Sequence, residues 1–415
     1  MKRILCIGLF LGVSFLASAQ DDSISAYSKG THALFLYTSA GFNSTGLTNE
    51  FIYDFYKGEF LTRDLRNRVS DRLKDRNRAG FLLEAGLNYS WSPPDTADKF
   101  GYYLSVEEKS MAEIQFRKGF FDLLFFGNAP YTGETIMLDG MEVNMMTWQK
   151  YSAGITKRIR KGDQEHYFSC GLGFIVGQQH LAVNVHEGSF FTQQDAEYVS
   201  LDVNMDVYHT DSNRTGFGAY NGYGIAYDLG YHYWSGKHHL IAVQLKDLGF
   251  IRWDRQPDRF TRDTTFRFDG FEVDLLNFNS PALSNVGDSL LDEWIGPKGK
   301  SDYLTELPID VSASYTYFFN SNRFFLSAAA RCRFHSLYRP YVALSGGYDG
   351  KFKKWSLEVE PGVSYGGYGN FNAGLQLTAG IKKTFILLGF SGVDALVAPR
   401  SRCGLSGYLT LYQRF

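Results

Sequence analysis

Long apolar runs, proline and paired cysteines are all scarce in this sequence. Beyond residue 19 there is no stretch of roughly eighteen consecutive apolar residues, which excludes membrane-spanning helices. Only 10 of the 415 residues are proline, and no Pro/Ser-rich linker or shift in composition divides the chain. A length that ordinarily means two or three domains therefore shows no seam. Beyond Cys6 the cysteines are Cys170, Cys332 and Cys403, an odd set without C-x-x-C spacing, so neither a disulfide framework nor a zinc site is indicated. Basic blocks are missing too. Without Lys2 and Arg3 the chain keeps 40 basic against 44 acidic residues, a net charge of −4 that offers nucleic acid no electrostatic footprint.

The motifs of common chemistries are equally thin. There is no G-x-S-x-G elbow, and pairs such as Gly171/Gly173 and Gly222/Gly224 do not spell a dinucleotide fingerprint. Asp202-x-Asn204-x-Asp206 opens like a calcium loop, but Val207 and Asn213 stand where that loop needs Gly and Glu. His180 and His186 share a strand face that approaches Asp202 and Asp206 if the strands pair as expected, yet a solvated polar face explains them better than a metal. His186-Glu187 lacks the second histidine of a zincin motif. No catalytic residue, metal ligand or cofactor is nominated.

What the chain has in abundance is aromatic and small: 27 Tyr, 35 Phe and 43 Gly. That mixture favours many strands with aromatic girdles. Lys2 and Arg3 precede an apolar core from Ile4 to Leu16, and Ala17-Ser18-Ala19 supplies an A-x-A cleavage pattern. Residues 1–19 therefore read as an export signal, with Gln20 starting the mature chain.

Alternation then runs through most of the remainder. Ile309, Val311, Ala313, Tyr315, Tyr317 and Phe319 oppose Asp310, Ser312, Ser314 and Thr316. Phe324, Leu326, Ala328, Ala330 and Cys332 oppose Arg323, Ser327, Arg331 and Arg333, and Leu375 and Leu377 oppose Gln376 and Thr378. Strict period two over nine or more residues exceeds the five or six typical of soluble sandwiches and is the pattern of transmembrane strands. The chain ends on an amphipathic strand, Leu405, Leu409, Leu411 and Phe415 sharing one face. A terminal aromatic strand of this kind resembles the signal read by outer-membrane barrel-assembly machinery, the partner it implies.

The fold class is accordingly all-β: residues 20–415 form one transmembrane antiparallel β-barrel of about 14 strands (12–16) with short helical insertions. The short turns near 380–383, 349–352, 320–322 and 235–237 fall on the periplasmic side with Phe415. The excursions 43–78, 110–140, 254–304 and 392–403 then fall outside. Two segments carry helical spacing, within residues 48–74 and within 114–126. They read as caps over strand ends, or else as plugs.

At the outer end of one strand stands Lys246-Asp247-Leu248-Gly249-Phe250-Ile251-Arg252-Trp253, and Phe120 to Asn128 precedes another. On these segments and its layout the chain resembles outer-membrane barrels of Bacteroidota, in particular a domain-of-unknown-function family. More distantly it is similar to fatty-acid-transporter-type barrels and to accessory barrels of type IX secretion. The resemblance implies a cell outer membrane location, contact with its lipid and no catalytic set.

By parity, Glu84, Asp228, Lys246, Asp310, Arg331, Arg333, Glu358 and Glu360 line the lumen, a lattice of both signs that prefers neither anions nor cations. A two-residue turn between the strands at 319 and 323 pairs Asp310 with Arg333 and leaves Arg331 diagonal to it. Fourteen strands enclose more space than the eight that side chains just fill. The first functional reading is thus a passive channel or transporter for small solutes, apolar ones included. The alternative is an accessory or docking barrel for secretion or surface partner proteins, presenting Phe260, Phe266, Phe268, Phe271, Phe278 and Trp294. An outer-membrane enzyme is the third.

Overall fold

The computed structural model describes residues 32–93, 99–195, 197–211, 214, 216–236, 238–269, 299–319, 323–352 and 355–415. The export signal, the 320–322 turn and Phe271, Phe278 and Trp294 lie outside them. Among the described residues fourteen antiparallel strands, each hydrogen-bonded to its sequence neighbours, close into a barrel. They are β1 (His32–Ser44), β2 (Arg76–Trp91), β3 (Phe100–Arg117), β4 (Glu142–Lys161), β5 (Gln164–Thr192), β6 (Gly222–Ser235) and β7 (His239–Trp253). The second half comprises β8 (Asp310–Phe318), β9 (Phe324–Arg333), β10 (Arg339–Lys351), β11 (Trp355–Gly367), β12 (Phe371–Ile381), β13 (Thr384–Ser391) and β14 (Leu405–Arg414). Closure is direct: β14 pairs with β1 from Ala33↔Arg414 to Phe42↔Leu405.

The alternation that builds the strands also sorts their faces. Leu104, Leu172, Leu229, Leu326, Leu344 and Val363 are exposed on the outer wall. At the end carrying the short hairpins and Phe415, aromatic rings gather: Trp91 stacks on Tyr102, Phe168 lies against Tyr231, and Phe352 stacks on Trp355. An apolar outer band bounded by such rings is what a bilayer selects.

At the opposite end the connections are long. Strand β5 continues well past its partner β6, and its upper half pairs instead with a strand at Val199–His209, which in turn pairs with Asp258–Phe268. These form a flap beyond the barrel wall. The 254–304 excursion is therefore partly sheet.

The helices are α1 (Asn49–Lys57), α2 (Arg63–Arg72), α3 (Lys118–Phe126) and the short α4 (Val393–Val397). Thr48 and Thr62 cap the first two, accepting from Phe51 N and Leu65 N. The third starts later than its greasy spacing suggested. Ile114 to Arg117 belong to β3, where Glu113 and Gln115 continue the inward row, and both neighbouring strands hold them in register. Phe51, Leu65, Val69, Leu73, Phe116 and Phe121 form the core shared by α1 to α3. Phe116 stands on the outward row of β3, so these helices pack against the outside of the wall at the end with the long connections.

Candidate functional site

The interior is layered, and two bulges make the layers possible. On β7 the outward residues run Ile241, Val243, Leu245, then Leu248 and Phe250. The step of three between Leu245 and Leu248 is a bulge: Lys246 and Asp247 together oppose Asp228. Asp247 sits at φ 60°, in the left-handed region that a short polar side chain tolerates. Its carboxylate is thereby turned inward beside Lys246. A second bulge lies on β5, where Gln178 is the extra residue between Gly177, opposite Trp148, and Gln179, opposite Thr147; it moves the interior row from Ile175 and Gly177 to His180 and Ala182.

Around Asp247 a compact ion cluster forms. Lys109 Nζ lies 2.6 Å from Asp247 Oδ2, and Lys150 Nζ lies 2.7 Å from its Oδ1. Lys150 also reaches Asp228 at 3.0 Å, and Glu107 stands 3.3 Å from Lys109. The Asp247 backbone N–H donates to Asp228 at 3.0 Å. Residue exposures of 7% for Lys109, 0% for Lys150 and 3% for Asp247 leave these charges only each other. Lys150 can cross β5 because Gly173 lies beneath it. A Cβ there would meet Lys150 Cγ at 2.9 Å and Ser152 Oγ at 2.8 Å.

The charged belt continues along the wall. Lys246 opposes Asp310 on β8, and Asp310 opposes Arg333 on β9, the expected pairing. Arg331 binds Asp310 through Nε at 2.6 and 2.7 Å, and Arg333 Nη2 lies 2.9 Å away. Glu84 pairs in register with Lys109 on the same interior face. Glu360 is on a different stretch of wall, accepting from Gln376 at 3.0 Å and from Ser345, while Tyr408 donates to Gln376. Glu358 pairs with Thr378 on that same face. The eight nominated residues thus fall into one belt of six and a separate pair.

Three further features escaped the parity reading. Lys109, Lys150 and Glu107 were legible as inward positions of their own strands, but no charge lattice was drawn through them. Asp247 required the bulge, whose sequence trace is the Leu245–Leu248 spacing. Glu113 required the fold: Ser336 Oγ donates to it at 2.7 Å, Leu337 N at 3.0 Å and Tyr368 Oη at 2.8 Å. Strand β3 and the β9–β10 turn stand on nearly opposite walls, so this contact bridges the lumen. Tyr368 lies over Gly80 of β2, where a Cβ would meet its ring at 2.4 Å.

Alongside the ion cluster is an apolar layer of Met111, Met146, Trp148, Ile175, Ile251 and Trp253, closed by Tyr303 and Leu307. His180 stacks on Trp253 at 5.3 Å between ring centroids, and its Nδ1 lies 2.9 Å from Tyr303 Oη. Between this floor and the flap opens a cavity of about 670 Å³. Its walls include Glu142 and Asn144 of β4, Asn184 of β5, Tyr208 and Arg259 of the flap, and Arg252 paired with Asp302 at 2.9 Å. Asn144 donates to Glu113 at 3.2 Å, while its Oδ1 is buried without a hydrogen-bond partner among the described residues.

The His/Asp candidates separate. His180 is committed to the cavity floor, whereas His186 meets Asp206 at 2.9 Å on the flap. Thr261 and His186 hold the Asp206 carboxyl below its usual range. Among the described residues no group of three or more His, Cys, Asp or Glu gathers as a metal site. Asp202, Asn204 and Asp206 stand on a paired strand and form no calcium loop.

No curated protein matches the chain. Solved structures similar to it include the Pseudomonas putida toluene transporter TodX, at 8% identity and TM-score 0.43, covering 98% of this chain and 94% of that one. A Pseudomonas aeruginosa FadL homologue follows at 9% and 0.42, with 93% and 90% coverage. The translocator domain of the autotransporter NalP from Neisseria meningitidis gives 9% and 0.32, with 96% and 93% coverage. Likenesses at this level assign no solute. Sequence kinship is closer in one direction: residues 28–390 match the family described as "Family of unknown function (DUF5723)", and the chain belongs to that family.

Proposed function

We propose that this chain is an outer-membrane barrel that takes a small solute into its outer mouth and passes it inward through a closed, side-chain-filled waist. Its export signal delivers it to that membrane, and the apolar outer band with its aromatic girdle holds it there. The observation that carries the reading is the juxtaposition of a cavity of about 670 Å³ with an interior bridged just beneath it. Pockets that hold small ligands span roughly 300–1,000 Å³. An open pore has no need of such a cavity, and a docking scaffold has no need of one that faces its lumen. Passage then requires the apolar layer and the Lys109–Asp247–Lys150 cluster to yield when the cavity fills.

The test is uptake of a mixed panel of small radiolabelled solutes into proteoliposomes, with Ala182→Trp, at a β5 residue of the cavity lining, as a variant that fills the cavity. Selective uptake by the wild-type protein, abolished by Ala182→Trp in a fully folded barrel, is the expected result. Absence of uptake of any solute, with partner proteins co-purifying from the membrane, would favour the docking reading and overturn this one.

A further inference from the structure

The lining of the outer cavity names a solute class, and the argument rests on the uptake reading above. Two aromatic rings, Tyr208 and Tyr303, meet at 5.2 Å and 66° on one side. On the two strands beside Tyr208, Glu142 and Asn184 form a cross-strand pair, with Asn144 next along β4. Of the cationic side chains, Arg252 is paired with Asp302 at 2.9 Å, and Arg259 lies over the Tyr208 ring at 5.4 Å. What remains for a ligand is a row of amide and carboxyl groups beside ring surfaces, in a lining whose three carboxylates outnumber its two guanidiniums.

Each candidate class meets this lining differently. An alkyl chain would desolvate Asn144, Asn184 and Glu142 without replacing their hydrogen bonds, a penalty on each buried group. A carboxylate or phosphate would meet three carboxylates, Glu142, Asp302 and Glu306, against two guanidiniums. A hydroxyl-rich ring suits both halves, since its C–H face packs on an aromatic ring while each hydroxyl both donates and accepts. Asn144 Nδ2 donates one hydrogen to Glu113 at 3.2 Å and keeps a second for a ligand hydroxyl.

We infer that the outer cavity binds a neutral, polyhydroxylated ring solute of the mono- or disaccharide class, packed on Tyr208 and Tyr303 and hydrogen-bonded by Asn144, Asn184 and Glu142. Trp253, stacked on the floor residue His180, is placed to report occupancy.

The experiment titrates the full-length purified barrel, in a detergent without a sugar headgroup, with glucose, maltose and cellobiose. Decanoate and inorganic phosphate are titrated in parallel, and tryptophan fluorescence is the readout. A saturable change with at least one saccharide and none with decanoate or phosphate is expected. Tyr208→Ala should weaken that binding roughly tenfold, the scale of one lost packing contact. Tyr208→Phe, which keeps the ring, should leave it close to wild type and so separates ring loss from misfolding. Saturable decanoate or phosphate binding with saccharides silent overturns the inference while leaving the uptake reading intact. So does saccharide binding that Tyr208→Ala leaves unchanged. If nothing binds, the proteoliposome panel separates the two failures: uptake of some other solute sinks only the inference, and no uptake sinks both.

Discussion

Asp247→Asn is the perturbation that bears most directly on the closed waist. The substitution keeps the side chain's size and its tolerance of a positive φ, but removes the carboxylate shared by Lys109 and Lys150. Breaking a buried pair by removing one partner typically costs about 3–5 kcal/mol. Here the lower end applies, because Lys150 keeps Asp228 at 3.0 Å and Lys109 keeps Glu107 at 3.3 Å. A loss of about 3 kcal/mol lowers the folding equilibrium constant by roughly a hundredfold or somewhat more. Reversible urea unfolding in lipid vesicles, followed by tryptophan fluorescence, would measure it. A change for Asp247→Asn within about 0.5 kcal/mol, the range of ordinary surface substitutions, would refute the cluster as a structural element.

Other outcomes follow from the same geometry. Gly173→Val should destabilise nearly as much as Asp247→Asn, because the new side chain occupies the path of Lys150; unchanged urea unfolding would mean that Lys150 does not cross there. Leu375→Arg, on the lipid-facing row of β12, should cost roughly 2–4 kcal/mol and reduce assembled barrel on unheated gels. Gln376, one residue along, is buried between Glu360 and Tyr408, so Gln376→Leu should also destabilise, by about 1–3 kcal/mol for the acceptor left unpaired, rather than being tolerated as an ordinary lumen substitution. Trypsin added to intact cells should cut first at Arg255, Arg262 or Arg267 around the flap. Cutting there only after the outer membrane is permeabilised would invert the topology.

Most of the barrel was legible because a two-residue period over nine or more positions leaves little choice of face. Asp310 with Arg333 is the clearest instance: parity and a tight turn determine the pairing without any knowledge of the other strands. The site was harder to read because it depends on departures from that period. At Asp247 and at Gln178 the strand slips by one residue, and parity assigns the wrong face to everything beyond. In the sequence Glu197 to Tyr208 reads as the upper half of the descending strand through Phe217 to Tyr233; the structure corrects this, since Val199–His209 is a separate strand that pairs with β5 and with Asp258–Phe268, a segment that reads as loop. Contacts across the lumen, Glu113 with Ser336 and Leu337 above all, join residues more than two hundred positions apart and leave no local trace.

Conductance of the purified barrel in planar bilayers tests the closed, gated waist most directly. The wild-type protein should be electrically quiet, because side chains from opposite walls meet across its interior. A variant with Lys109, Lys150 and Asp247 replaced by serine, and with the 336–338 turn replaced by glycines, should show stable single-channel steps if its barrel assembles. Steady wild-type conductance equal to that of the variant would contradict the account.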